Sequence, residues 1–153
     1  MQIRVDNVQE PVVIDFLHEH MRLLSLESPP ESNHYLDIDE LRQPGVTFWT
    51  AWDGNELLGC GALKELESGH GEVKSMRTSA NHLRKGVGKL ILLEIIETAK
   101  HRGYSRISLE TGSLNAFVPA QKLYESCGFT YCPPFADYKE DPNCVFMTLI
   151  LKN

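Results

Sequence analysis

The sequence predicts an α+β domain built on a mixed sheet. Three observations carry that expectation. The strand-like segments come first as a meander, then as a strand-helix-strand crossover, then as a closing pair. One central segment, 87–102, has a broad apolar face at helical spacing. Asp53-Gly54-Asn55 sits between two apolar runs and has hairpin turn chemistry. The 153 residues and 17.3 kDa fit one domain of ordinary size, read as residues 1–153.

Gln2 to Val5 alternates and reads as a first strand. Pro11 to Leu26 reads as a helix: Pro11 suits a first turn, and Val13, Ile14, Leu17, Met21 and Leu24 recur near helical spacing. The stretch 28–32 is a loop and Ile38 to Arg42 a short helix. Thr47 to Ala51 and Glu56 to Leu66 are the hairpin strands. A turn at Gly69 to Gly71 leads into a strand from Glu72 to Thr78. Val87 to Arg102 is the clearest helix, with Gly103 placed as its C-cap. Arg106 to Thr111 is a core strand and Phe117 to Ser126 a helix stopped by Gly128. Phe129 to Cys132 and Val145 to Leu151 close the chain as strands around a loop, 133–143. The order is β-α-α-β-β-β-α-β-α-β-β.

Composition excludes several classes. Hydrophobic residues are 42% and charged residues 24%, which argues against disorder. The strongest apolar stretch, Leu90 to Ile96, is interrupted by Glu94 and is too short to cross a bilayer. The chain opens on Gln2, Arg4 and Asp6, not on an apolar run, so a cytoplasmic protein without a secretory signal is expected. The four cysteines, Cys60, Cys127, Cys132 and Cys144, show no C-x-x-C spacing, and the six histidines no H-x-x-x-H, so no metal is expected. A net charge of −6 argues against a nucleic-acid partner.

The charge is uneven. Residues 1–60 carry three basic and eleven acidic groups, and residues 61–153 carry twelve basic and ten acidic. Between Glu72 and Glu94 there is no acid, while Lys74, Arg77, Arg84, Lys85 and Lys89 all lie there. The alternatives are a specific anionic ligand or a solvated charged face. The segment Leu83-Arg84-Lys85-Gly86-Val87-Gly88-Lys89 favours the ligand, because it runs from a strand into the start of the best helix. Helix-start N–H groups have no intrahelical partner, and the helix dipole is positive there. Gly86 and Gly88 let a phosphate approach the backbone, and Arg84, Lys85 and Lys89 add charge. The Walker and dinucleotide patterns both fail on this segment, and a plain turn needing glycine is the bland alternative.

Taken together, Glu72-Val73-Lys74-Ser75-Met76-Arg77-Thr78, then Arg84-Lys85-Gly86-Val87-Gly88, then a long amphipathic helix, a strand and Leu123-Tyr124-Glu125-Ser126-Cys127-Gly128-Phe129 resemble the GNAT N-acetyltransferase superfamily. The resemblance is strong over residues 71–131. It implies a mostly antiparallel sheet flanked by helices and splayed between the fourth and fifth core strands. It implies acetyl-CoA as donor and no metal. Its pyrophosphate would lie on Arg84, Lys85, Gly86, Val87, Gly88 and Lys89, and its pantetheine arm on Met76, Arg77 and Thr78, much as an added strand lies on a sheet edge. Tyr124 falls on the family's general acid, which protonates the departing thiolate. Glu72 falls where some members place a general base, and a backbone N–H near Met76 would polarise the thioester oxygen. Two positions depart from the pattern. Leu83 stands where a polar residue is common, and Phe117 where asparagine is common, with Asn115 two residues earlier as the candidate for that cofactor contact.

The implied activity is transfer of an acetyl group to a primary amine of a small molecule or peptide by direct attack in a ternary complex. The alternative is a catalytically silent acyl-CoA-binding or sensing module. The acceptor is expected near His20, Glu27, Glu31, His34, Tyr35 and the 133–143 loop, including Tyr138 and Asp141. A monomer and a homodimer through an exposed edge strand both stay open.

Overall fold

The computed structural model describes residues 1–152. The elements are β1 (Gln2–Val5), α1 (Pro11–Glu27), α2 (Ile38–Leu41), β2 (Val46–Asp53), β3 (Glu56–Glu67), β4 (His70–Thr78), α3 (Val87–His101), β5 (Arg106–Gly112), α4 (Val118–Ser126), β6 (Thr130–Cys132) and β7 (Cys144–Ile150). All seven strands form one sheet in the order β1-β2-β3-β4-β5-β7-β6. Every neighbouring pair is antiparallel except β4 and β5, which are parallel. The α3 crossover is what makes that one parallel pair. Among the described residues no helix is long and apolar enough to cross a membrane.

The order matches the expected one, and the boundaries move by a few residues. β4 begins at His70, two residues early, because Gly69 at φ +81° completes the turn on its own. Phe117 does not open α4. Its amide reaches back to the Leu114 carbonyl at 2.9 Å, closing a separate 3-10 turn over Asn115–Phe117, and α4 starts at Val118 with Pro119 in its first turn.

Two apolar clusters lie on opposite faces of the sheet. On one face, α3 contributes Val87, Ile91, Leu92, Ile95, Ile96 and Ala99, and α4 contributes Tyr124. They meet Leu63, Val73, Ile107, Leu109 and Met147 from the strands. On the other face, Val13 and Leu17 of α1 and Leu41 of α2 cover Phe48, Trp52, Cys60 and Ala62. A Cβ on Gly61 would fall 2.5 Å from Met76 Sδ and 2.7 Å from Ile91 Cγ2, so only glycine lets α3 press against the sheet there. The short α2 is fixed by a capping box, in which the Glu40 amide donates to Asp37 Oδ1 at 2.8 Å and Glu40 Oε1 accepts from the Asp37 amide at 3.1 Å.

The feature that positions the site is the divergence of β4 from β5. Their ladder runs only from His70–Arg106 to Glu72–Ser108 and then stops. β4 also carries an extra residue against β3, where Cys60 pairs with Arg77 but Ala62 pairs with Lys74. Ser75 is the bulged residue, at φ +57°. A bulge bends its strand and leaves a residue out of the ladder. The Ser75 hydroxyl is buried without a hydrogen-bond partner among the described residues, and its carbonyl accepts from the Cys60 thiol at 3.1 Å.

Candidate active site

The divergence opens a cleft of about 200 Å³ walled by β4, β5, α1 and the start of α4. Because of the bulge, Val73 and Met76 both pack toward α3, while Lys74 and Arg77 face the α1 side. Arg77 Nε donates to His20 Nδ1 of α1 at 2.8 Å. Burial, with Arg77 beside it, pushes the His20 imidazole down to about 3, so it is a neutral acceptor that holds the guanidinium in place.

Glu110 and Tyr124 are among the ionisable groups that line the cleft. Glu110, on β5, has its carboxyl pushed up to about 7, chiefly by burial. Lys74 pulls it down, and Glu72 and Asp141 add to the rise. A carboxyl titrating near neutrality can take a proton and release it again. Tyr124, on α4, is 6% exposed. Burial and then the nearby Glu110 push its phenol above its ordinary value, so it keeps its proton at neutral pH and can donate it.

Glu72 sits at the base of the divergence and is not among the residues that line the cleft. It is 3% exposed, and its Oε2 accepts from the Tyr138 hydroxyl at 2.5 Å and from Lys74 Nζ at 3.3 Å. Lys74 Nζ also donates to the Tyr138 hydroxyl at 2.9 Å and to the His34 carbonyl at 2.6 Å. The carboxylate thus has two donors already and ties β4 to the 133–143 loop. The His34 and Tyr138 rings meet edge to face, 5.0 Å apart at 81°. The loops on either side are clasped together, with Ser32 Oγ donating to Asp141 Oδ2 at 2.6 Å.

Past the end of β4, beside Thr78, is the glycine loop. Gly86 is the N-cap of α3 at φ +81°, where a side chain would be strained, and no side chain caps the helix. A Cβ on Gly88 would meet Leu123 at 3.2 Å and Thr78 Oγ1 at 3.5 Å, so Gly88 brings α3 close to both α4 and β4. Arg84, Lys85 and Lys89 are exposed around this helix start.

A family model described as "Acetyltransferase (GNAT) family" matches residues 14–129. The chain belongs to the GNAT acetyltransferase family. It is 61% identical over 148 residues to the N-acetyltransferase YsnE of Bacillus subtilis (strain 168), a match covering 97% of this chain and 98% of that one. It is 47% identical to the N-acetyltransferase YedL of Escherichia coli (strain K12), covering 97% and 94%. Among solved structures, a Bacillus subtilis acetyltransferase in complex with CoA matches with a TM-score of 0.71 and 25% identity, covering 99% of each chain.

In this GNAT acetyltransferase the sequence-predicted residues divide into groups. Tyr124, Met76 and Arg77 line the cleft. Thr78 lies against the glycine loop, and Gly86 and Gly88 shape that loop. The Val87 side chain is 2% exposed and belongs to the core, so only its backbone is available to a ligand. Asn115 is exposed on the 3-10 turn, while Ala116 and Phe117 of the same turn form the cleft wall. Sequence reasoning gave Glu110 no role and placed His20 only in the acceptor region, although both line the cleft. The alternation of Ile107 and Leu109 carried a signal, since it sets Ser108 and Glu110 on the opposite face of a core strand.

Proposed function

We propose that this acetyltransferase moves the acetyl group of acetyl-CoA to a primary amine of a small molecule or peptide, by direct attack in a ternary complex. The observation that carries the reading is the pair Glu110 and Tyr124 in one cleft, one carboxyl poised near neutrality and one phenol that stays protonated. The donor end suits the cofactor. The uncapped amides of α3, the left-handed Gly86 and the exposed Arg84, Lys85 and Lys89 match a pyrophosphate. The β4 backbone beyond Glu72 is released from β5 and can pair with the amides of a pantetheine arm along Met76, Arg77 and Thr78.

Glu110 is the general base in this reading. It takes a proton from the amine as the amine nitrogen bonds to the acetyl carbon. A β4 backbone N–H near Met76 stabilises the negative charge that develops on the carbonyl oxygen. As the carbon–sulfur bond breaks, Tyr124 gives its proton to the thiolate, and both residues are restored by exchange with solvent. Glu72, which falls where some family members place a general base, has its carboxylate engaged by Lys74 and Tyr138 and in this reading shapes the acceptor wall.

Calorimetric titration with acetyl-CoA, with ATP as control, followed by a thiol-release assay over a panel of amines, tests the proposal. Saturable binding of acetyl-CoA alone, with thiol release that depends on an amine, is expected. Folded protein that binds no acetyl-CoA would overturn it.

A further inference from the structure

Three side chains from separate parts of the chain converge on the acceptor side of the sheet. His34 comes from the loop between α1 and α2, Glu110 from β5, and Cys144 from the first residue of β7. Their ligating atoms all lie within 4.8 Å of one another. Nothing in the transfer chemistry uses Cys144. The sequence spacing that argued against a metal concerns ligands close together in the chain, and these three are brought together only by the fold.

An imidazole nitrogen, a carboxylate oxygen and a thiol sulfur form the donor set of a borderline divalent metal of the zinc class. Bond lengths of about 2.0–2.3 Å in tetrahedral geometry put such ligands about 3.3–3.5 Å apart. Side-chain rotations that draw the three atoms together by an ångström or so would close the set, leaving a fourth position for water. The charge is also suitable. Glu72, Glu110 and Asp141 surround this corner, while the one ammonium, Lys74, is committed to Glu72, Tyr138 and the His34 carbonyl. Outer contacts hold the ligands in place. The Cys144 thiol donates to the Ser32 carbonyl at 3.7 Å, a proton that metal binding would displace, and the His34 ring meets Tyr138 edge to face. Asp141, which neighbours both Cys144 and His34, is fixed by Ser32 and by the Asn143 amide at 2.8 Å.

We propose that His34, Glu110 and Cys144 form a site for a divalent metal of the zinc class, and that metal held there, on two residues that line the cleft, blocks the acceptor end and inhibits the enzyme reversibly. The inhibitory half rests on the reading that the acceptor binds in this cleft; the site itself does not.

The probe is Co(II), added to full-length protein freed of metal with a chelator. One equivalent is expected to bind with d–d bands of tetrahedral cobalt and a near-ultraviolet sulfur-to-metal charge-transfer band, and Zn(II) is expected to displace it. Cys144→Ser should abolish the charge-transfer band, and His34→Gln should weaken binding at least about tenfold, with melting curves confirming that both variants fold. Cys127→Ser and Cys132→Ser should leave the spectrum unchanged. No band in the wild type, a band that survives Cys144→Ser, or one lost with Cys127 or Cys132 would overturn the site. In the transfer assay, stoichiometric Zn(II) should lower turnover at least about tenfold, and a chelator should restore it. Cobalt binding as expected with turnover unaffected by zinc would keep the site and overturn its inhibitory role.

Discussion

Glu110→Gln removes a carboxylate from the cleft while keeping its shape, and it should change both stability and rate in a pH-dependent way. In the unfolded chain Glu110 loses its proton near 4.5, and in the folded protein only near about 7. Between those values the unfolded state holds fewer protons, so the stability of the wild type falls as pH rises through that window and is level above it. The window from 4.5 to about 7, at about 1.4 kcal/mol per pH unit, sets an upper bound of roughly 3–4 kcal/mol. Glutamine carries no such charge. Urea unfolding should therefore give nearly equal stabilities for the two proteins near pH 4.5, and a variant more stable by up to about 3–4 kcal/mol at pH 8. With acetyl-CoA and amine saturating and a chelator present, wild-type kcat should rise with pH along a limb centred near about 7, and the variant should lose that limb. A stability difference that is the same at both pH values would refute the buried charge. A wild-type limb that persists in the variant would refute the base.

Tyr124→Phe should lower kcat by about 100-fold, with the KM for acetyl-CoA within about twofold, in steady-state thiol-release assays. Glu72→Ala leaves the Lys74 ammonium buried, with its side chain only 9% exposed, without its carboxylate, and should cost about 3–5 kcal/mol in denaturant unfolding. Tyr138→Phe, which removes one neutral hydroxyl from the same cluster, should cost about 1 kcal/mol. Gly86→Ala meets nothing within 4 Å but must hold φ +81°, so calorimetry should find weaker acetyl-CoA binding and unfolding a loss of about 1–2 kcal/mol.

Much of the fold was legible because its signals are local. Apolar spacing marked α3, Asp53-Gly54-Asn55 marked the β2–β3 hairpin, and Gly103 and Gly128, both at positive φ, marked the ends of α3 and α4. The bulge at Ser75 gave no such signal, since serine is not a residue that announces a left-handed backbone. The glycine loop was readable for the same reason as the helices: its glycines and charges are contiguous. The engagement of the Glu72 carboxylate was not, because it depends on Tyr138, a residue 66 positions beyond Glu72. Asn115 and Phe117 are two residues apart, and only the 3-10 turn decides which of them lines the cleft.

The bulge in β4 is a length mismatch built into the sheet. Val73 and Met76 face α3 while Lys74 and Arg77 face α1, so removing Ser75 would keep every neighbour on its present side and restore plain alternation. Such a deletion is expected to leave both apolar clusters their residues while straightening the strand toward β5. A deletion, which usually damages a strand, is expected at this position to spare the core and to narrow the cleft.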